Sequence, residues 1–556
     1  MHKVLEIPEI LCIICSFADR PWRKGDVLRL ALTCRYFLEP ALDVLWREAH
    51  NLEHFLKCFP SDVWVDEKRE GLYNNGTVLK LIRCPTRQDW ARPLYYAKRI
   101  KDLKLSNYID MDAVAPTSYS TLAISCPRNN PFRRLQCLRL SRYRREDASM
   151  MFFYRLLLCA PVRRLELCFP KWENTVQAMS LVTMATSRCT PTDVDLSCAN
   201  FHDGAVEHIV SEWPQLQRIV LGTASTKTIR QLADLPALRV LKVAHGIRRD
   251  LPDDGEGLDA FPALQRLVVR DSTIEACTWL LTLLDYSPVK KLHMHFSTTA
   301  SAAEWQKLIE QLADAVDSRT LERLVLFDDT SARDITRDSV TSATVEPLLC
   351  FRELVHLTIR PRRPVHLDGA MMLDMGKALA HLRYLDMRGR HSVYGSPTLN
   401  MHDLVAFALQ CPTLETVGLS VNTLGHVPWP QPGHLPEDGR CSQSVTKIMV
   451  GDAILEPKDL IVFASYLSFV FPNLYNIETL SGLFGETFFN WKRVEELLPL
   501  CRTVRQQGYM HGLRQEGREG DGTASFGHLG NLSGGWAPEP EDRPEDSDHQ
   551  YAYDSA

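Results

Sequence analysis

Cys12 and Cys15 stand at C-x-x-C spacing, half of a structural zinc site, and the missing half never comes. No second cysteine pair and no histidine pair follows at ligand spacing. His293 and His295 flank Met294 and would share one face of a strand, with no third ligand nearby. Asp250 to Gly255 resembles a calcium loop, but Pro252 takes a ligand position and Phe261 stands where a bidentate Glu is needed. Gly369 to Lys377 resembles a phosphate loop, yet six residues separate Gly369 from Gly376 where four are required. Ala378 also replaces the Ser or Thr that would hold magnesium, so this stretch reads as a helix. Neither G-x-S-x-G nor H-E-x-x-H occurs. The chain therefore reads as no enzyme, with no cofactor and no metal site.

The bulk properties narrow the partners. Hydrophobic residues make up 45% and charged residues 24%, and the formal net charge is only −5, which gives no reason to expect nucleic acid or a membrane as the main partner. The longest apolar run, Leu460 to Phe471, ends at Pro472 and is too short to cross a bilayer. Val4 to Ala18 is interrupted by Glu6, Pro8 and Glu9, so it reads as a first helix and not as a secretory leader. The sixteen cysteines are scattered through apolar segments, as reduced thiols are, which points to the cytoplasm or nucleus. The glycosylation triplets at Asn75 and Asn531 then read as chance matches.

The elements that would position any site come from a repeat. One phrase recurs: apolar, two variable residues, apolar, one variable residue, apolar. It runs from Ile100/Leu103/Leu105 through Leu216/Ile219/Leu221 and Leu324/Leu326 to Leu474/Ile477, fourteen copies spaced 22 to 35 residues apart. The end of the phrase alternates, which is the period of a short strand. Proline often precedes its first position (Pro161, Pro214, Pro236, Pro262, Pro288, Pro412, Pro472), where a strand entry tolerates a missing N–H.

Between phrases the period turns helical. Val206, Ile209, Val210 and Trp213 follow Asp203 as an N-cap, and Ser301 with Glu304 forms a capping-box pattern before Trp305 and Leu308. Three aliphatic side chains buried per strand give about 6 kcal/mol before entropy, too little for one unit alone. Stacked units supply the rest. This pattern resembles the leucine-rich repeat. The implied fold is α/β, a curved parallel sheet with outer helices whose inner rim of fourteen strands is about 65 Å long.

Residues 7 to 47 read as three short helices rich in Ile, Leu and Trp, marginal as an independent fold. The opening I-P-E-I-L-x-x-I, the centre D-V-L-x-L-x-L-T-C-R and the close Leu45-Trp46-Arg47 resemble the F-box, with a longer Asp19 to Gly25 loop and Phe37 in place of a common Trp. Asp89-Trp90-x-Arg92 and Tyr95 to Ile100 are similar to the bridge of F-box/leucine-rich-repeat proteins of the fungal type. The resemblance implies that Ile7, Pro8, Glu9, Ile10, Leu11, Ile14, Leu28, Leu32, Cys34 and Trp46 dock the Skp adaptor of a cullin–RING ubiquitin ligase. The repeats would then select an unknown protein substrate. A repeat scaffold or inhibitor without a ligase role is the alternative.

The variable phrase positions (third, fifth and seventh) would line the open side of the sheet. From the Leu216 copy through the Leu354 copy they hold Arg218, Lys242, Arg266, Arg270, Lys291, Arg323 and Arg360, with His293, His295 and His356, and no Asp or Glu. Elsewhere the same positions carry Glu166, Asp193, Asp195, Asp386 and Glu478. Such a basic groove suits an acidic or phosphorylated segment. The expected layout is an F-box-like motif at 1–49, a helical bridge at 50–98 and a solenoid at 99–504 with a Pro/Gly-rich insertion at 421–444. A disordered tail would follow at 505–556.

Overall fold

The computed structural model describes residues 7–18, 24–68, 77–107, 114–142, 149–158, 161–168, 175–197, 203–248, 260–285, 287–328, 338–389, 397–423, 436–451, 453–479 and 486–516. Within them lies a single-order parallel sheet of fifteen strands. A two-residue strand, Glu48–Ala49, comes first. The fourteen that follow, from Asp102–Asn107 to Asn476–Glu478, are the fourteen repeat phrases in sequence order.

The second apolar position of every phrase sits in one register. Leu103 pairs with Leu138, then Leu165, Val194 and Ile219 continue the row. Leu241, Leu267, Leu292, Leu324 and Leu357 carry it through the middle. Leu385, Val417, Ile448 and Ile477 finish it. All are buried in one continuous core shared with the helices between the strands. A full row of branched aliphatics therefore faces those helices, each contributing about 2 kcal/mol on burial. The alternate positions face away. The aliphatic spacing thus decides both the pairing and which face is dry.

The intervening helices follow local rules. Helix Asp203–Glu212 includes Asp203, expected as its N-cap, as its first residue. Helix Ala302–Ala315 begins with a reciprocal Ser301–Glu304 capping box and buries Trp305, Leu308, Ile309 and Leu312. Gly369–Ala378 is a helix capped by the Asp368 carboxylate, which accepts from the Met371 amide at 2.8 Å. The C-terminal end of the stack is closed by buried Trp491, whose indole donates to the Ala453 carbonyl at 2.8 Å. Asn490 donates to the Leu455 carbonyl beside it at 2.7 Å.

Two expectations need correction. The segment 50–98 is not wholly helical: Trp64–Lys68 and Thr77–Leu81 form an antiparallel hairpin between helices Glu53–Leu56 and Ala91–Ala97. The β-branched residues Val65, Thr77 and Val78 are the sequence signals that favour it. Order also extends past 505, because helix Glu486–Glu516 continues there. Residues 517–556, the calcium-like stretch 250–255 and residues 424–435 of the insertion lie outside the described residues. The chain divides into two compact units, Met1–Cys501, which holds every strand of the sheet, and Arg502–Ala556. Among the described residues no helix is long and apolar enough to cross a membrane.

Candidate interaction surfaces

The N-terminal tip is three helices, α1 (Pro8–Ala18), α2 (Lys24–Thr33) and α3 (Arg35–Leu45). Pro8 sits at the first helical position, where its missing N–H costs nothing. Helices this short are marginal by themselves, and their own core is small: Cys15, Val27, Ala31, Ala41 and Val44. Much of the apolar surface points outward instead. Phe17 is 79% exposed and Leu32 77%, with Ile7, Ile13, Leu28 and Leu38 also exposed.

The expected docking residues separate by position. Ile7, Pro8, Glu9, Leu28 and Leu32 are exposed; Ile10, Ile14, Cys34 and Trp46 are half-buried. Leu11, only 2% exposed, is an internal packing residue, and the Trp46 ring stacks on Tyr96 with centroids 4.6 Å apart. Ile13 and Phe17, four residues apart on the outer side of α1, were missed in the sequence. Their signal is helical spacing with Ile10.

One buried cation fixes this tip to the repeats. The Arg99 guanidinium, leaving the bridge, donates to the Glu39 and Asp43 carboxylates of α3. The Tyr95 hydroxyl also donates to Glu39, and Lys98 and Arg99 lie over the Tyr95 ring at 4.5 and 4.7 Å. The Arg99 bond, then that from Tyr95, holds the Glu39 carboxyl below its ordinary pKa. Glu39 in turn raises that of the Tyr95 hydroxyl.

The open face of the sheet is the second surface. Toward its N-terminal end acids and bases alternate. Arg139 lies 3.0 Å from Asp102 and 3.8 Å from Glu166, and Asp193 takes Arg218 at 3.1 Å and Arg164 at 3.8 Å. Burial pushes the Asp193 and Glu166 carboxyls up, against the pull of these arginines. Toward the other end Asp386 holds the buried Arg388 guanidinium at 2.8 Å and Arg360 at 3.8 Å. Glu478 takes Arg388 at 3.3 Å and Lys447 at 2.6 Å. Burial would raise the Glu478 pKa, but Lys447 and Arg388 outweigh it and hold the carboxyl low. Burial and the Asp386 charge push the Tyr384 hydroxyl up to about 12.

Arg218 and Arg360, expected within the basic groove, are thus joined to acids of the same face. Arg360 also lies over the Phe327 ring at 5.0 Å. His295 stacks on the same ring at 5.1 Å and meets the Asp271 carboxylate at 3.3 Å. His356 stacks on Tyr384 at 4.2 Å. Between these ends Lys242, Arg266, Arg270, His293 and Arg323 are half-buried and Lys291 is exposed. Among the described residues no three His, Cys, Asp or Glu side chains gather as a metal would need.

Comparisons with known proteins add likenesses of fold. No protein-family profile and no curated protein matches the chain. TLR13, solved with ssRNA13, aligns at a TM-score of 0.41 and 14% identity over 68% of this chain and 46% of that one, so the chain spans under half of TLR13. A chain of the yeast Rad7 and Elc1 complex aligns at 0.33 and 14% over 60% and 81%. The leucine-rich repeat-containing protein LegL7 from Legionella pneumophila aligns at 0.24 and 12% over 60% and 91%. The repeats form a leucine-rich-repeat solenoid. That statement rests on the fifteen-strand sheet itself and its single aliphatic register.

Proposed function

We propose that this protein is a non-catalytic adaptor: the three-helix tip docks the Skp adaptor of a cullin–RING ubiquitin ligase, and the repeat wall holds a client protein. The observation that carries the reading is the tip itself. Its exposed Phe17, Ile13, Leu28 and Leu32 are a poor surface for a free element with so small a core, and a good one for a partner. The F-box resemblance of residues 7 to 47 supports a Skp-type partner. The buried Arg99 joint supports a second part of the reading, since a client on the wall has to be presented at a fixed place relative to the tip.

The test is co-expression of the full chain with a Skp adaptor, followed by size-exclusion chromatography. A stable complex that is lost with Leu28→Glu/Leu32→Glu supports the proposal. Both side chains are exposed, so this variant keeps its fold, which Leu11→Glu would not. No complex with the wild-type chain would leave a repeat scaffold without a ligase role.

A further inference from the structure

The helical layer changes character near the C-terminal end of the stack. Between strands Thr416–Leu419 and Lys447–Met449 the described residues hold no α-helix, only the 3-10 turn Pro436–Gly439. One carboxylate ties that turn to the helices on either side. Glu437 Oε1 accepts from the Tyr466 hydroxyl of helix Leu460–Val470 at 2.7 Å. The same oxygen lies 2.5 Å from Nδ1 of His402 on helix Met401–Gln410. The Glu437 side chain is 9% exposed, whereas His402 stands in water. The Glu437 backbone is left-handed, with φ +49°. A residue with a Cβ avoids that region unless its surroundings hold it there, so these contacts, more than local preference, keep the turn in place. A second fastening follows that no proton can alter: the Ser442 amide donates to the Val470 carbonyl at 2.8 Å, and the Asn473 side chain to the Gln443 carbonyl at 2.7 Å.

We propose that Glu437 and His402 form a pH-sensitive latch that fastens the turn Pro436–Gly439 to helix Met401–Gln410. The proposal stands apart from the Skp and client readings. The two partners of Glu437 respond differently to pH. Burial, then the bond to Glu437, keeps the Tyr466 hydroxyl protonated well above its ordinary range, so it donates throughout. An imidazole changes charge between about pH 5 and 8. Protonated His402 adds an ion pair to the bond; above that range the charge is gone and Tyr466 carries the turn. The charged groups of the adjoining elements have contacts of their own. Asp403 accepts from the Asn400 amide at 2.9 Å, and the Arg440 guanidinium donates to the Glu437 carbonyl at 3.4 Å. Asp374 pairs with Lys377 at 3.1 Å, Glu456 with Lys458 at 2.5 Å, and Asp368 caps its own helix. Asp459 is buried at the entry to helix Leu460–Val470, which carries no charged residue.

The experiment is hydrogen exchange of the purified full chain at about pH 5.5 and about pH 8, each corrected for the chemical exchange rate at that pH. Amides of residues 438 to 441 report the latch, and that of Ser442 is the internal reference. In the wild type, protection at 438 to 441 should be about threefold higher at the lower pH, the scale of a solvated ion pair, with the reference unmoved. His402→Gln should abolish the difference. Glu437→Gln should abolish it too while leaving Tyr466 an acceptor. Tyr466→Phe should lower protection at both pH values and keep the difference. Asp438→Asn, beside Glu437 in sequence, should behave as the wild type. Equal wild-type protection at the two pH values overturns the proposal. So does a difference that survives His402→Gln or Glu437→Gln, one that vanishes in Asp438→Asn, or a Tyr466→Phe chain as protected as the wild type.

Discussion

The Arg99 joint can be broken from either side, and the two ways should not cost the same. The Arg99 side chain is 3% exposed, whereas Glu39 and Asp43 keep 59% and 41% of theirs. Arg99→Met removes the buried charge, leaves an apolar stem of similar length and returns two carboxylates to water. What is lost is a pair of bonds to well-solvated partners, so the expected cost is about 1 kcal/mol, the upper range for exposed ion pairs. Glu39→Gln with Asp43→Asn leaves the guanidinium buried without counter-charge. That situation costs about 3–5 kcal/mol, and the amide oxygens, which still accept hydrogen bonds, bring it toward about 3. A gap of about 2 kcal/mol is roughly thirtyfold in the opening equilibrium of the joint. Hydrogen exchange at the α3 amides, compared across wild type and both variants at neutral pH, reads that equilibrium locally. Equal protection in the two variants, or a milder effect in the acid-neutralised one, would refute the reasoning.

Acid should loosen the same joint. The Glu39 carboxyl is held below its ordinary value of 4.5, so its contribution is fully present above that value and disappears as pH falls through the lower, folded-state one. The stability gap between wild type and Arg99→Met should therefore narrow between about pH 5 and about pH 3, measured by thermal melting. Gly246→Ala should destabilise the chain by about 2–4 kcal/mol, because φ there is +86° and the new Cβ would lie 2.4 Å from the Asp271 carbonyl oxygen. Gly204→Ala, with nothing within 4 Å, should be neutral or mildly stabilising, and a melting comparison of the two tests both. Burial pushes the Cys277 and Cys411 thiols up to about 12, so iodoacetamide at about pH 8 should label exposed Cys84 and Cys441 and spare these two. Peptide mass spectrometry gives the answer.

The sheet was legible because its strands announce themselves. An aliphatic triplet with fixed inner spacing has one dry face, and only a common register buries fourteen of them together, as Leu103 through Ile477 do. Strand Glu48–Ala49 carries no such phrase. It exists because its backbone completes the edge of the Asp102 strand, which no local pattern records. The joint was illegible for a similar reason: Arg99 reads as one more charge beside Lys98, and its partners are 56 and 60 residues away. On the open face the phrase positions located the charges correctly, but not their pairing. Arg218 and Arg360 look like members of the basic group until Asp193 and Asp386 are placed on the adjoining strands. In the tip, motif matching favoured Leu11 and Trp46, whose conspicuous side chains face inward, over Ile13 and Phe17, which face out.

Because each strand rests on its two neighbours in an unbroken order, the sheet also works as a ruler. Seven strand steps separate Glu48–Ala49, next to the tip, from Arg266–Ser272, a contour of roughly 35 Å at about 4.8 Å per step. Gaining or losing one unit between them would move the Arg266 strand by one notch relative to the first strand, leaving the pairing on either side intact. Reach, on this scaffold, is a quantity counted in whole repeats.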